Sequence, residues 1–363
     1  MSELNFSQSR PLRILFVGPQ HPGSNAYAMA KALSRANQVI QSVDPRYFIP
    51  TVHNSISLRI IRKALTRSFE REFNLQIMRD LSSFEPDVMV VYKGESVMPD
   101  TLKAARAEGV YCVNIFPDVS IFTHGPWLPK TLPLYHHLFT TKSFGPRDLK
   151  RHLGLTNVTV LLHGFDPELH CPLPLGASVP LALKAEVSFI GTWSPKKEAI
   201  IDTVLRECPG IDLKIWGSQW GSAQSAAVRE HSMGMEIMGS VYPVAIQGST
   251  VNLAILSEAR IGSSAGDQIT SRTFHIPASG GFMLHERTEE LLTHMTEGEE
   301  VACFSVAKEL ADKVRYYLAH GEERERIRIG GYQRCLAEHS IDHRAGEVLA
   351  HCYEQLAEQR SQS

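Results

Sequence analysis

Short apolar runs that end in small or polar residues, each followed by a stretch of helical periodicity, recur along almost the whole chain. The first half contains RILFVG (13–18), DVMVVYKGE (87–95), YCVNIFPD (111–118), HLFTT (137–141) and VTVLLHGF (158–165). Between them lie helical patterns such as SNAYAMAKALSRA (24–36) and PDTLKAARAEG (99–109). Runs apolar at every position, rather than at alternate ones, are expected of strands covered on both faces. Their alternation with helices predicts a parallel sheet with helices on either side. A second series begins at EVSFIGT (186–192). It continues through a helix near 196–207, DLKIWG (212–217), VNLAIL (251–256), GFMLHE (281–286) and a strand near VACFS (301–305). FDPELHCPLPLGASVPLALK (165–184), with four prolines, separates the two series.

The expected architecture is α/β, with two doubly wound, Rossmann-like domains facing an interdomain cleft and a helical carboxyl-terminal tail. The predicted boundaries are 1–165 for the first domain, 166–184 for the linker and 185–340 for the second domain. The last segment, 341–363, is expected to be a helix that packs back toward the first domain. A chain of 363 residues with 43% hydrophobic content can fill two such cores. Ligands of doubly wound sheets collect at the carboxyl ends of strands.

Composition narrows the functional classes. A net charge of −2 offers no global field for nucleic acid or an anionic membrane. No apolar stretch of signal-peptide length precedes the first strand, and no run reaches the roughly 18 residues of a membrane span. Six scattered cysteines form no C-x-x-C pair. A cytoplasmic protein is expected. LRIIRKALTRSFEREFNLQIMRDL (58–81) is basic and amphipathic, which fits a solvated helix face or a peripheral membrane contact. The turn after the first strand, GPQHPGS (18–24), lacks the dinucleotide fingerprint, and neither the P-loop nor the G-x-S-x-G signature occurs.

GDQITSRTFHIPASGGFMLHE (266–286) is the most unusual stretch. Thr270 or Ser271 can cap a short helix, weakened by Pro277, that runs to Gly280. Arg272 in its first turn opposes the helix dipole, at a cost of roughly 0.3–1 kcal/mol. An anion at that turn would reverse the sign; the plain alternative is an arginine pointing to water.

From this stretch onward the sequence resembles CgeB-like, group 1 glycosyltransferases of the GT-B fold. SRTFHIPASGG, the strand ending in Glu286, ELADKVRYYLAH and the closing EHSIDHR carry the resemblance, and FIGTWSPKKEAII (189–201) and KIWGSQW (214–220) fit the start of the same domain. It covers roughly 186–347; the first domain agrees in layout and in HGFDPELHCP (163–172). It implies a transferase, hexosyl or related, that takes a nucleotide-diphospho-sugar as donor and needs no bound cofactor or metal. Ser271 and Arg272 would contact phosphates. Gly191 and Thr192 would let the backbone approach the donor, with Lys196 or Lys197 adding positive charge. Trp216 and Gly217 would flank the base, and Gly280 closes the same motif. The relatives carry two acidic residues eight apart, which here fall on Asp267 and His275. The second is an imidazole, able to hold one ribose hydroxyl where a carboxylate holds two, or simply a packed helix histidine.

In the first domain His21, in the loop after the first strand, is a candidate general base for an acceptor hydroxyl, or a helix-capping loop residue. Asp118 at the end of YCVNIFPD competes with it, and Glu95 in YKGES ranks behind. His339 and His343, four apart, lack a third ligand, and His136, His137, His163 and His170 show no ligand spacing, so no metal is expected. Inverting and retaining outcomes both fit these residues. A nucleotide-sugar epimerase of GT-B shape and a non-catalytic nucleotide-sugar-binding protein are the competing classes. Partners expected are the donor and an acceptor molecule, not nucleic acid.

Overall fold

The computed structural model describes residues 10–50 and 56–362; the leading residues read above for an export signal lie outside these, and of residues 56–59, 61, 62 and 362 only the backbone is described. The chain divides into two compact units. The first contains the chain up to Leu162, the short segment Arg260–Ser264 and the chain from Asp342; the second contains His163–Ala259 and Ala265–Ile341.

The first unit is built on six parallel strands: β1 (Arg13–Val17), β2 (Val39–Val43), β3 (Val88–Tyr92), β4 (Tyr111–Phe116), β5 (His137–Thr140) and β6 (Val158–Val160), in the order β2-β1-β3-β4-β5-β6. β4 is buried at every position and β3 at all but its last, as strands covered on both faces must be. The helix Asn25–Arg35 starts where Ser24 Oγ accepts a hydrogen bond from Tyr27 N at 3.1 Å. It lays Ala26, Met29, Ala30 and Leu33 on the sheet. The basic stretch 58–81 lies within one helix, Ile56–Phe84. Its second half buries Phe73, Ile77, Leu81 and Phe84 along a single stripe, while Ile60 and Leu65 are exposed. No helix among the described residues is long and apolar enough to cross a membrane.

The tail helix Ile341–Gln362 packs by residues from Asp342 onward within the first unit. Arg35 Nε donates to Asp342 Oδ1 at 2.8 Å, and the Tyr353 hydroxyl reaches Gln38 Oε1 at 3.0 Å. Val348, Leu349 and Cys352 are buried beneath it.

The second unit holds five parallel strands, β7 (Ala185–Ile190), β8 (Leu213–Trp216), β9 (Ser249–Ala254), β10 (Met283–Glu286) and β11 (Ala302–Phe304), in the order β11-β10-β9-β7-β8. VTVLLHGF does not continue as a strand beyond Val160. Phe165 N instead donates to His339 O at 3.0 Å and Ile341 N to Phe165 O at 2.8 Å, so HGFDPELH belongs with the second unit.

The two sheets share one topology: the first strand is central, the second lies to one side and the third to the other. Strand order therefore reverses between β1 and β3, and again between β7 and β9. Helices leave opposite faces at such a point, and a crevice opens at the carboxyl ends of the two strands. Both crevices contain residues singled out from the sequence.

Candidate active site

The helix Ser271–Ala278 begins at the crevice of the second unit. Thr270 is its extended N-cap, and Thr273 Oγ1 accepts from Thr270 N at 3.1 Å. Residues Thr273 to Ala278 are all buried, so packing holds this helix together despite Pro277.

Arg272 does not point to water. Its Nη2 donates to Ile255 O at 2.9 Å and its Nη1 approaches Ile190 O at 3.5 Å. The guanidinium carbon lies 5.4 Å from the centre of the Phe189 ring. Ile190 ends β7 and Ile255 follows β9, so the cation spans the carboxyl ends of the two strands between which the order reverses. Its Nε is buried without a hydrogen-bond partner. Arg272 has no carboxylate within salt-bridge distance among the described residues. Burial pushes its pKa down, against the pull of Tyr242 and Asp267, yet a guanidinium remains charged at neutral pH. A partly dehydrated cation with an unmet donor, at a helix start, is the arrangement an anion completes.

Two glycines make the approach possible. A Cβ on Gly191 would lie 2.8 Å from Arg272 Nη1 and 3.0 Å from Phe189 Cζ. Gly217 has φ +143°, and a Cβ there would sit 2.1 Å from Gly191 O. The loops after β7 and β8 interlock so tightly that neither position admits a side chain without movement of its neighbours. Beside them Thr192 Oγ1 and Ser218 Oγ lie 3.0 Å apart, with Thr192 exposed. These hydroxyls line the open side of the crevice.

Other donor-site expectations need correction. Lys196 is spoken for: its Nζ binds Glu286 Oε1 at 2.6 Å, and Glu286 Oε2 accepts from Leu256 N at 3.0 Å. Lys197 is only 4% exposed and donates to Thr192 O at 3.0 Å and Ser257 Oγ at 3.1 Å. It fastens the loop after β7 to the loop after β9 instead of presenting charge to a ligand. Trp216 is 1% exposed, so its ring belongs to the core and cannot flank a base. Gly280, with φ +78°, ends the helix on the far side from Ser271, about 12 Å away at 1.5 Å per residue. Its role is to turn the chain into β10.

Of the two readings of His275, the structure supports the packed helix histidine. It is 7% exposed and donates from Nε2 to Gly164 O at 3.2 Å. Its ring stacks on His170 at 3.8 Å, and His170 Nδ1 in turn accepts from Asp166 N at 3.0 Å. Desolvation first, then the neighbouring His170, holds the His275 pKa well below the ordinary value of 6.5. A neutral imidazole has one N–H, and here the Gly164 carbonyl takes it. The ring glues HGFDPELH to the helix and has no donor left for a ribose hydroxyl. Asp267 stays near the helix start, its N–H donating to Ser257 O at 2.9 Å and its carboxylate close enough to raise the pKa of Arg272. The pair eight residues apart is thus separated in space and in task.

In the first unit the candidates fall at the carboxyl ends of β1, β3 and β4. Lys93 Nζ lies 3.1 Å from Glu95 Oε2 and 3.2 Å from Asp118 Oδ2, and His124 Nε2 lies 3.3 Å from the same Asp118 oxygen. Asp118 is therefore engaged by two basic groups. His21 Nδ1 and Asp118 Oδ2 are both buried without a hydrogen-bond partner, the latter despite its two basic neighbours, and the His21 pKa is lowered by burial and then by Arg46, partly offset by Asp44. A lowered pKa keeps the ring neutral at neutral pH, with a lone pair on one of its two nitrogens. Lys93 and His124 escaped the sequence reading. The K-G-E that follows five apolar residues was the usable signal for Lys93, whose φ of +66° marks a sharp turn at the strand end. His124 carried none. Among the described residues no group of three or more His, Cys, Asp or Glu side chains is arranged to hold a metal ion.

Residues 196–350, less than half of the chain, match the family described as glycosyl transferase-like. No curated protein sequence matches the chain. Solved structures match over nearly its whole length. Sucrose-phosphate synthase from Thermosynechococcus elongatus has a TM-score of 0.65 at 12% identity, covering 96% of this chain and 100% of its own. A glycosyltransferase from Rickettsia africae gives 0.62 at 12%, covering 96% and 99%. Anabaena HepE in complex with UDP-glucose gives 0.63 at 11%, covering 97% and 100%. The fold is GT-B. The glycosyl transferase-like match begins at Lys196 and takes in Arg272 and the whole helix it starts. In this GT-B chain it therefore covers the cation, while Gly191 and Thr192 lie just ahead of it.

Proposed function

We propose that the protein is a glycosyltransferase of the CgeB-like branch, which moves a sugar from a nucleotide-diphospho-sugar to an acceptor hydroxyl. The observation that carries this reading is Arg272, a cation laid across the ends of β7 and β9 with an unpartnered Nε at a helix start. The diphosphate of the donor sits against Thr270, Ser271 and Arg272, with Gly191 giving the backbone room and Thr192 on the open side. The motifs SRTFHIPASGG and EHSIDHR support the branch.

During transfer the acceptor oxygen bonds to the anomeric carbon as the bond from that carbon to the diphosphate breaks. The electron pair leaves with the diphosphate, where Arg272 and the helix N–H groups meet the growing charge. The acceptor proton passes to His21, whose pKa burial lowers, so that the ring is neutral and able to act as a base at neutral pH. Asp118 is flanked by Lys93 and His124.

Slow hydrolysis of UDP-, GDP- or dTDP-sugars by the purified protein, with release of nucleoside diphosphate, is the direct test. No turnover and no thermal shift with any donor would sink the reading. Because the cation and the helix supply the charge stabilisation, turnover should be undiminished by EDTA. His21→Gln should leave nucleoside diphosphate affinity intact and lower transfer by roughly 10²–10⁴-fold. The wild-type rate should fall on acidification with an apparent pKa below 6.5, since protonation removes the base. A fully active His21→Gln enzyme would clear the histidine of this role.

A further inference from the structure

The crevice between β1 and β3 contains a cavity of about 160 Å³. Its walls include Val17, Ile49, Phe73 and Val97, and its rim carries Arg46, Lys93 and Glu95. Val17, Phe73 and Val97 are almost fully buried. A dry apolar cavity of roughly 150 Å³ accommodates a benzene-sized ring.

The charges at the rim are already matched. Arg46 Nη2 pairs with the buried Asp44 Oδ2 at 2.7 Å, and Lys93 pairs with Glu95 at 3.1 Å and Asp118 at 3.2 Å. A phosphate or carboxylate entering here would compete with carboxylates in place, whereas an uncharged ring would be covered by the apolar walls. The rim still offers polar groups to a hydroxyl, among them Glu95 and Ser96. His21 is near enough to respond to the charges of both Arg46 and Asp44.

We infer that this cavity binds the acceptor, and that the acceptor is an uncharged hydroxyl compound with an apolar ring-sized body, such as a phenol or naphthol, in preference to a sugar phosphate or a free oligosaccharide. The inference deepens the glycosyltransferase reading and rests on it for the transfer step.

With the donor that the full-length protein hydrolyses, 2-naphthol, glucose 6-phosphate and maltose are compared as acceptors. Transfer to 2-naphthol should exceed transfer to the other two by at least about tenfold in kcat/KM. Ile49→Trp and Val97→Phe, which fill the cavity, should raise the KM for 2-naphthol about tenfold or more while leaving donor hydrolysis unchanged. Retained hydrolysis reports that the variants are folded. Preference for glucose 6-phosphate or maltose, or an unaltered naphthol KM in both variants, would overturn the inference. If no donor is hydrolysed at all, the transferase reading fails separately, and fluorescence titration of 2-naphthol against wild type and the two variants still decides the cavity. Saturable binding lost in both variants supports it, and absent or unchanged binding rejects it.

Discussion

Arg272→Ala should abolish most of the catalytic power of this protein. Nucleoside diphosphate affinity should drop at least about tenfold, the equivalent of about 1.4 kcal/mol for a lost charge-assisted contact. Turnover should fall further, by roughly 10²–10³-fold, because the leaving group gains charge as the bond to it breaks. The guanidinium is also tied to Ile190 O and Ile255 O, so a parallel melting curve separates lost binding from lost packing. Arg272→Lys sharpens the result. An ammonium restores the charge but not the planar fork that reaches two strand ends at once, so it should recover only part of the affinity. Titration calorimetry with UDP and GDP reads the first effect, and donor kcat/KM reads the second. Unchanged diphosphate affinity in Arg272→Ala would remove the residue from the site.

Acidification should destabilise the second unit strongly. Burial holds His170 and His285 at about 4, against an ordinary value of 6.5, and pushes His275 down in the same direction. His285 is fixed as a neutral ring: Nδ1 donates to Glu286 O, and Nε2 takes the Thr273 hydroxyl at 2.9 Å. Between pH 6.5 and 4 the unfolded chain binds protons that the folded unit refuses, so stability rises with pH across that window. It is fully present above about 6.5 and is lost progressively as pH falls below it. At pH 5 each of His170 and His285 costs about 2 kcal/mol, or about 4 kcal/mol together. That corresponds to a melting temperature roughly 10 °C lower at pH 5 than at pH 7.5. A flat melting profile over this range would mean that the rings are solvated.

The sequence announced most of the strands and the carboxyl-terminal helices because their apolar runs are continuous and bounded by turn residues. It did not announce β2, whose VIQSV lies at a sheet edge with mostly open side chains. It overextended β6, because LLHGF is apolar for a different purpose: Phe165 pairs beside Ser340 in the other unit. Arg272 was the most legible of the proposed site residues, since a cation in a first helical turn conflicts with the dipole and so asks for a partner. Lys197 was misread because nothing in PKKEAII distinguishes a lysine that faces inward. The sequence left His275 between a ribose contact and a packed helix histidine, and the packed one holds: its neighbours, Gly164 and His170, lie about a hundred residues away and no spacing records them.

Local order thus followed from the chain itself: the β/α alternation, the capped start at Thr270 and the glycines at strand ends are effects of neighbours within a few positions. The pairing of charges was settled only by tertiary structure. Lys196 and Glu286, Lys93 and Asp118, and His275 and Gly164 each meet because separate loops converge at a sheet edge or a helix face. Pair energies depend on distance and burial, which no periodicity records. Packing also left Arg272 Nε and His21 Nδ1 among the buried atoms without partners, and the proposed chemistry is built on these two residues.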